Sequence, residues 1–161
     1  MIRLLVLALL VNACHSRHDP PRAASPAAAD TARGIVAVVG SDRNTQVVLK
    51  LEPTAPYLTL TGPQTDALRR TMGADVWVTG TRKDNSLEVS SFVVRTVDGV
   101  PALDGRVAAD GDKLYLVTPE GVRRLIVHPP PPLRSHIGAR VWITGALDRD
   151  PVAFGLIEDA R

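Results

Sequence analysis

The phrase GADVWVTG at residues 73–80 returns as GARVWITG at residues 138–145, tryptophan included. A chain of 161 residues has room for two small copies of one unit, and a phrase repeated in this way favours that organisation. The first glycine of each phrase is suited to end a helix. Val76 and Val78, like their counterparts in the second phrase, alternate as in a strand with one buried face. The last glycine permits a bulge or a tight bend.

Short alternating apolar runs, the signal for strands, begin at Gly34 and continue through both copies. Gly34 matches Gly105 at an offset of 71, and Phe92 matches Phe154 at an offset of 62, so the copies differ in the length of their turns. Asp110-Gly111 is a tight-hairpin signal in the second copy. For the first copy we predict strands at 34–40, 45–51, 57–61, 75–81 and 86–97, with a helix at 63–72.

Three strands, a helix, the pattern G-x-x-V-x-V-x-G and a final strand resemble the OB-fold, a small five-stranded Greek-key barrel. The resemblance implies an all-β chain with one short helix per unit. It places OB-like barrel 1 at residues 34–98 and OB-like barrel 2 at residues 102–160. The chain is thus similar to a tandem member of the exported bacterial families with OB-like domains, several of which have no known role.

The N-terminus indicates export. Arg3 precedes an apolar run at 4–11, and a small residue stands directly before Cys14, as in a secretory signal. The run is less than half of the roughly 20 residues that span a bilayer. The sequence LVNAC resembles the lipobox of bacterial lipoproteins, which implies that the signal peptide 1–13 is removed and Cys14 is acylated. His15, rather than Asp, then implies sorting to the outer membrane, facing the periplasm.

Cys14 is the only cysteine, so the alternative is a spare thiol in an uncleaved or differently cleaved signal. After it, residues 15–33 hold no apolar side chain larger than Ala. Such a segment cannot bury enough surface to offset its ordering entropy, so we expect residues 14–33 to be a lipid-anchored, disordered linker. His15 and His18 beside Asp19 could catch a metal ion, but a solvated tether is the simpler interpretation.

The net charge of the chain does not indicate a particular class of partner. The 19 basic residues nearly balance the 17 acidic ones, whereas a nucleic-acid-binding protein normally shows a larger, clustered basic excess. We therefore expect no nucleic acid among its partners, and no motif calls for a cofactor.

Trp77 and Trp142 alternate away from the predicted interior. An outward tryptophan is either a stacking platform for a sugar, a base or a partner side chain, or a cap or interdomain contact. OB-folds usually bind ligands on their second and third strands, where tyrosines and basic residues point outward. The candidate binding residues are Trp77, Trp142, Tyr57, Tyr115, Lys113, Arg123 and Arg124.

The sequence offers few residues or motifs that could support catalysis. No thiol remains after acylation, and the chain contains no G-x-S-x-G, no H-E-x-x-H and no phosphate-binding glycine loop. Asp104 and Asp110 are expected in turns, where Asp is favoured. His128 and His136 are weak metal candidates, because a site would need further ligands that this segment lacks. The chain is therefore predicted not to be an enzyme.

Together these features predict a non-catalytic binding or scaffolding lipoprotein of the bacterial cell envelope. Its contact would be a protein partner or a cell-wall or surface polymer. The alternative is a periplasmic protein that binds a small ligand or a metal ion, through the strand-two and strand-three face or through the two histidines.

Overall fold

The computed structural model describes residues 29–41, 44–51, 56–149 and 153–160, so the predicted signal peptide, Cys14 and most of the predicted linker lie outside it. The described chain is all-β apart from two short helices, as predicted. The first unit contains β1 (Asp30–Ser41), β2 (Asn44–Lys50), β3 (Leu58–Thr61), α1 (Thr65–Arg69), β4 (Asp75–Lys83) and β5 (Ser86–Val97). The second contains β6 (Val100–Asp110), β7 (Lys113–Val117), β8 (Arg123–Ile126), a 3₁₀ helix (Pro131–His136), β9 (Arg140–Thr144) and β10 (Ala153–Glu158).

In the first unit every strand has two neighbours. β1 pairs antiparallel with β2 and β4, β2 pairs with β3, and β4 pairs with β5. β3 and β5 run parallel, with Leu60 opposite Leu87. The pairings therefore run from β1 through β2, β3, β5 and β4 back to β1.

The second unit has the order β10-β9-β6-β7-β8. Within the described residues β8 pairs only with β7, and β10 only with β9. The units are joined by a hairpin between β5 and β6, in which Val97 lies opposite Val100. Its turn residues Asp98 and Gly99 both have positive φ, the geometry of a tight hairpin turn. All ten strands thus belong to one hydrogen-bonded sheet.

Two predicted boundaries were wrong. β1 begins at Asp30 rather than at Gly34, because residues 30–35 pair with β4 through their backbone, which requires no apolar side chains. These first residues therefore belong to the strand and not to the linker. The predicted helix at 63–72 is only the five residues of α1, and its counterpart is a 3₁₀ helix that starts within the proline run, where backbone N–H donors are missing.

The predicted bend at Gly80 is confirmed. The β4–β5 register shifts between Thr79 and Gly80, and a Cβ on Gly80 would collide with the carbonyl oxygen of Glu88. Only glycine allows the two backbones to come this close at the bulge.

Two buried apolar clusters form the core, one for each unit. One residue crosses between them: Ile157 of β10 is fully buried in the cluster of the first unit. Ala102 and Trp142, also from the second unit, pack against that cluster. The first unit therefore completes its core with side chains from the second, and the two form one packed body.

We expect Ile157→Ala to lower the free energy of unfolding by about 2–5 kcal/mol, because it leaves a cavity in the core of the first unit. Chemical denaturation followed by tryptophan fluorescence would measure this. Ile137→Ala is the matched control, since Ile137 is 48% exposed and its truncation should cost little. An unchanged unfolding midpoint for Ile157→Ala would show that the two units do not depend on each other.

Candidate binding face

A buried ion pair holds the second unit against β5 of the first. The side chain of Asp104, in the middle of β6, is fully buried. Its two carboxylate oxygens accept hydrogen bonds from Arg140, Nε at 2.8 Å and Nη2 at 2.7 Å, and one of them also accepts the backbone N–H of Val94 at 3.0 Å. Arg140 donates to the carbonyl oxygen of Phe92 and lies 4.4 Å from the centre of its ring. Asp104 is thus a strand residue at an interface, and its predicted placement in a turn was wrong.

Glu158 extends this network on the side of β10. It accepts hydrogen bonds from Arg106 and from Arg140. Partial burial raises the pKa of Glu158, but the hydrogen bonds from the two arginines outweigh it, and the pKa lies below its ordinary value. The carboxylate is therefore held in its charged form. A further ion pair, Arg70 with Asp159 at 2.9 Å, ties the end of α1 to the second unit.

Trp142 is part of this seam. It is half-buried, packs against the core of the first unit and covers Gly155 on the neighbouring strand. A Cβ on Gly155 would lie about 2.5 Å from the indole ring, so the glycine is needed for the ring to lie flat on the strand. Trp142 therefore has a structural role, one of the two alternatives the sequence left open.

Trp77, the matching tryptophan, is instead 53% exposed. Arg33 lies opposite it on β1, and the Arg95 guanidinium lies 5.2 Å from the centre of its ring. Arg33 is held by Asp75, to which Nε and Nη2 donate at 2.6–3.2 Å. The pKa of Arg33 is raised by this hydrogen-bonded pair. An exposed aromatic ring thus lies beside two guanidinium groups, and that of Arg33 is held in place by Asp75.

A second aromatic lies further along the same face. Tyr57, directly before β3, is 47% exposed, and the Lys50 ammonium is 5.7 Å from the centre of its ring. Ile35, also exposed, connects the two halves, because it pairs with Asp75 on one side and with Lys50 on the other. We call this surface the Trp77 face; its members are Arg33, Ile35, Lys50, Tyr57, Asp75, Trp77 and Arg95.

Two grooves run over the Trp77 face and share Arg33. One, of about 440 Å³, includes Ile35, Lys50 and Tyr57 in its lining. The other, of about 300 Å³, includes Trp77 and Thr79. From β4 to β3 the face crosses three strand spacings, about 15 Å. This shape suits an extended ligand better than a compact one.

The predicted residues of the second unit lie elsewhere. Tyr115 on β7 has the Arg123 guanidinium 4.3 Å from the centre of its ring, and Arg123 also approaches Asp110 at 3.7 Å. Lys113 and Arg124 are exposed on the same two strands. None of these residues lines the grooves of the Trp77 face. The structure therefore does not bring the two predicted tyrosines together.

The two histidines do not form part of a recognisable metal site. His136 packs edge-on against Phe154, with ring centres 6.0 Å apart, and His128 follows β8. Among the described residues, no three His, Cys, Asp or Glu side chains are placed to hold a metal ion.

Sequence reasoning missed Arg33, Asp75 and Arg95, and it missed Lys50 as the partner of Tyr57. A signal existed for Arg33 and Asp75. The offsets of 71 and 65 that align the copies also align Arg33 with Asp104 and Asp75 with Arg140. Each copy therefore has one basic and one acidic residue at these two positions, in the opposite order.

Comparison with known protein families, with curated proteins and with solved structures gives no match to this chain. In the described residues, neither helix is long and apolar enough to cross a membrane.

We expect Arg140→Met to destabilise the protein by about 3–5 kcal/mol, because it leaves the carboxylate of Asp104 buried without its counter-charge. Arg33→Met is the matched control: it removes the corresponding ion pair of the first unit, in which the arginine side chain is 60% exposed, and should move the unfolding midpoint much less. Equilibrium unfolding in urea would measure both. Equal losses in the two variants would contradict the assignment of Asp104–Arg140 as the seam.

Proposed function

We propose that this protein is an exported lipoprotein, anchored through Cys14 to the outer membrane and facing the periplasm, whose two tandem OB-like units act as a non-catalytic binding module. The ligand is an extended cell-wall or surface polymer, and the Trp77 face binds it. The observation that carries this proposal is the exposed ring of Trp77, with Arg33 and Arg95 beside it.

The OB-like assignment is supported by the pairing pattern of the first unit. Its circuit, with parallel β3 and β5 and a helix between β3 and β4, is the order expected of a five-stranded Greek-key barrel. The second unit repeats the order of elements and the β6–β9 pairing. We interpret it as a second, more open copy.

A polymer fits the Trp77 face because the two aromatic platforms are far apart and shallow. Exposed aromatic rings stack on flat faces of a ligand at little entropic cost, since they have only two side-chain torsions. Tyr57 lines one groove and Trp77 the other, and the two grooves share Arg33. A chain molecule can occupy both at once, and weak contacts then add through effective concentration.

A protein partner is the second candidate, and β8 is the observation in its favour. β8 pairs only with β7 within the described residues, and of the backbone beyond it the N–H of Val127 donates to Leu147, so the strand itself lacks a second strand neighbour there. Val122, Leu125 and Val127, on or beside β8, are 41–50% exposed. An extended segment of another protein could add to such an edge.

The anchor is tested by Cys14→Ala. We expect this variant to incorporate no radiolabelled palmitate and to leave the membrane fraction, because the thiol is the acceptor of the acyl chains. Metabolic labelling and fractionation of the producing cells would measure both. Label retained by the variant would exclude Cys14 as the anchor and leave the binding module to be judged separately.

The binding face is tested with the detergent-solubilised full-length protein and the insoluble polymer fraction of its own envelope. We expect Trp77→Ala to weaken co-sedimentation about tenfold, the effect of losing one stacking contact. Tyr115→Ala is the matched control, because Tyr115 also lies beside an arginine but outside the face. Undiminished binding by Trp77→Ala would overturn the proposal. A crosslinked protein partner lost in Leu125→Asp would favour β8 instead.

A further inference from the structure

The Trp77 face is the first unit's copy of the surface through which the second unit docks. In both copies a charged residue lies directly opposite the tryptophan: Arg33 pairs with Trp77, and Asp104 pairs with Trp142. In both, the fifth strand of the unit bulges at the same place. The extra residue of the bulge is Arg95 in β5 and Ile157 in β10. Within the described residues, only the second copy is covered.

The residue at the bulge differs between the two copies in both polarity and burial. Ile157 is fully buried in the core of the neighbouring unit, whereas Arg95 is exposed beside Trp77. An apolar partner that covered the first copy as the first unit covers the second would bury the charge of Arg95 without compensation, which is costly. The occupant of the Trp77 face must therefore bring negative charge with it.

The net positive charge of the face also favours a negatively charged ligand. Three cations, Arg33, Lys50 and Arg95, stand against one carboxylate, Asp75. Arg33 is paired, but its Nη1 donates to no acceptor in the described part of the chain. Lys50 and Arg95 form no salt bridge there and lie over aromatic rings.

In the described part of the chain, Glu120 is a second carboxylate within electrostatic range of Arg95, outside the Trp77 face as defined above. The charges of Arg124 and Arg95 both act on Glu120, but no salt bridge joins Glu120 to Arg95 among the described residues, and the three cations still outnumber the two carboxylates.

Resting on the function proposed above, we propose that the polymer bound by the Trp77 face is an acidic glycan. Its sugar rings stack on Trp77 and Tyr57, and its carboxylates pair with Arg95 and Lys50. Sugars present flat apolar faces of C–H groups to aromatic rings, and guanidinium groups bind carboxylates through two parallel hydrogen bonds. A nucleic acid offers the same two features, but the near balance of 19 basic and 17 acidic residues lacks the basic excess of nucleic-acid-binding proteins.

The test is calorimetric titration of the full-length protein in detergent with four defined probes of similar length. These are an oligogalacturonate, a neutral gluco-oligosaccharide, poly-glutamate and a single-stranded oligonucleotide. We expect the oligogalacturonate to bind at least about tenfold more tightly than each of the others, and its affinity to fall as salt rises. Arg95→Gln should weaken it about fivefold to tenfold and leave the neutral sugar unaffected. Arg123→Gln, which removes the guanidinium over Tyr115, is the matched control and should have no effect.

Each other outcome has a distinct meaning. Equal affinity for the acidic and neutral sugars would overturn the acidic-glycan inference and leave the polymer-binding function standing. Tighter binding of poly-glutamate or of the oligonucleotide would also overturn it, in favour of an acidic protein segment or a nucleic acid. If Trp77→Ala binds the envelope polymers as the unchanged protein does, the function itself fails.

Discussion

The buried pair of Asp104 and Arg140 is the interaction on which the rest of the structure depends. Removing two charged groups from water is costly, and the cost is offset only when every donor and acceptor finds a partner. Here the partners that complete the network are the Val94 N–H and the Phe92 carbonyl, both on β5 of the first unit. The pair is therefore satisfied in one docked arrangement. Ile157 and Trp142 add apolar burial at the same seam, but apolar contacts are non-directional and do not fix the arrangement by themselves.

The repeated phrase describes one surface put to two uses. Each copy places a tryptophan, an ion pair and a bulge at matching positions of its strands. In the second unit the tryptophan lies on Gly155 and against the neighbouring core. In the first unit, where Val93 takes the place of that glycine, the ring stands open and Arg95 approaches it. The copy of this surface in the second unit is buried against the first unit. The copy in the first unit remains exposed to solvent.

Much of the fold was predictable because its signals are local. Alternating apolar residues marked the strands, and positive-φ glycines such as Gly73 and Gly138 marked the ends of the helices. The seam was not predictable, because it depends on partners distant in sequence: Asp104 meets Arg140 across 36 positions, and Arg140 meets Phe92 across the unit boundary. Asp104 is followed by glycine, a pattern that favours a turn, and only its partner Arg140 shows that it lies in a strand. That Trp77 points outward followed from alternation, but which tryptophan would be covered depended on how the units dock.

Arg95 also bears on whether a further copy of the chain could dock on the Trp77 face. A protein made of two identical copies would carry an open docking surface at one end and an open acceptor strand at the other, the geometry that gives rings or open-ended fibres. β10 is the counterpart of β5, so that acceptor exists in the second unit. The first unit, however, has Arg95 where the docking surface has Ile157, and its ion pair is reversed in order. The two ends therefore do not complement each other. The residue differences that would suit the Trp77 face to a charged ligand would also disfavour the docking of a further copy of the chain.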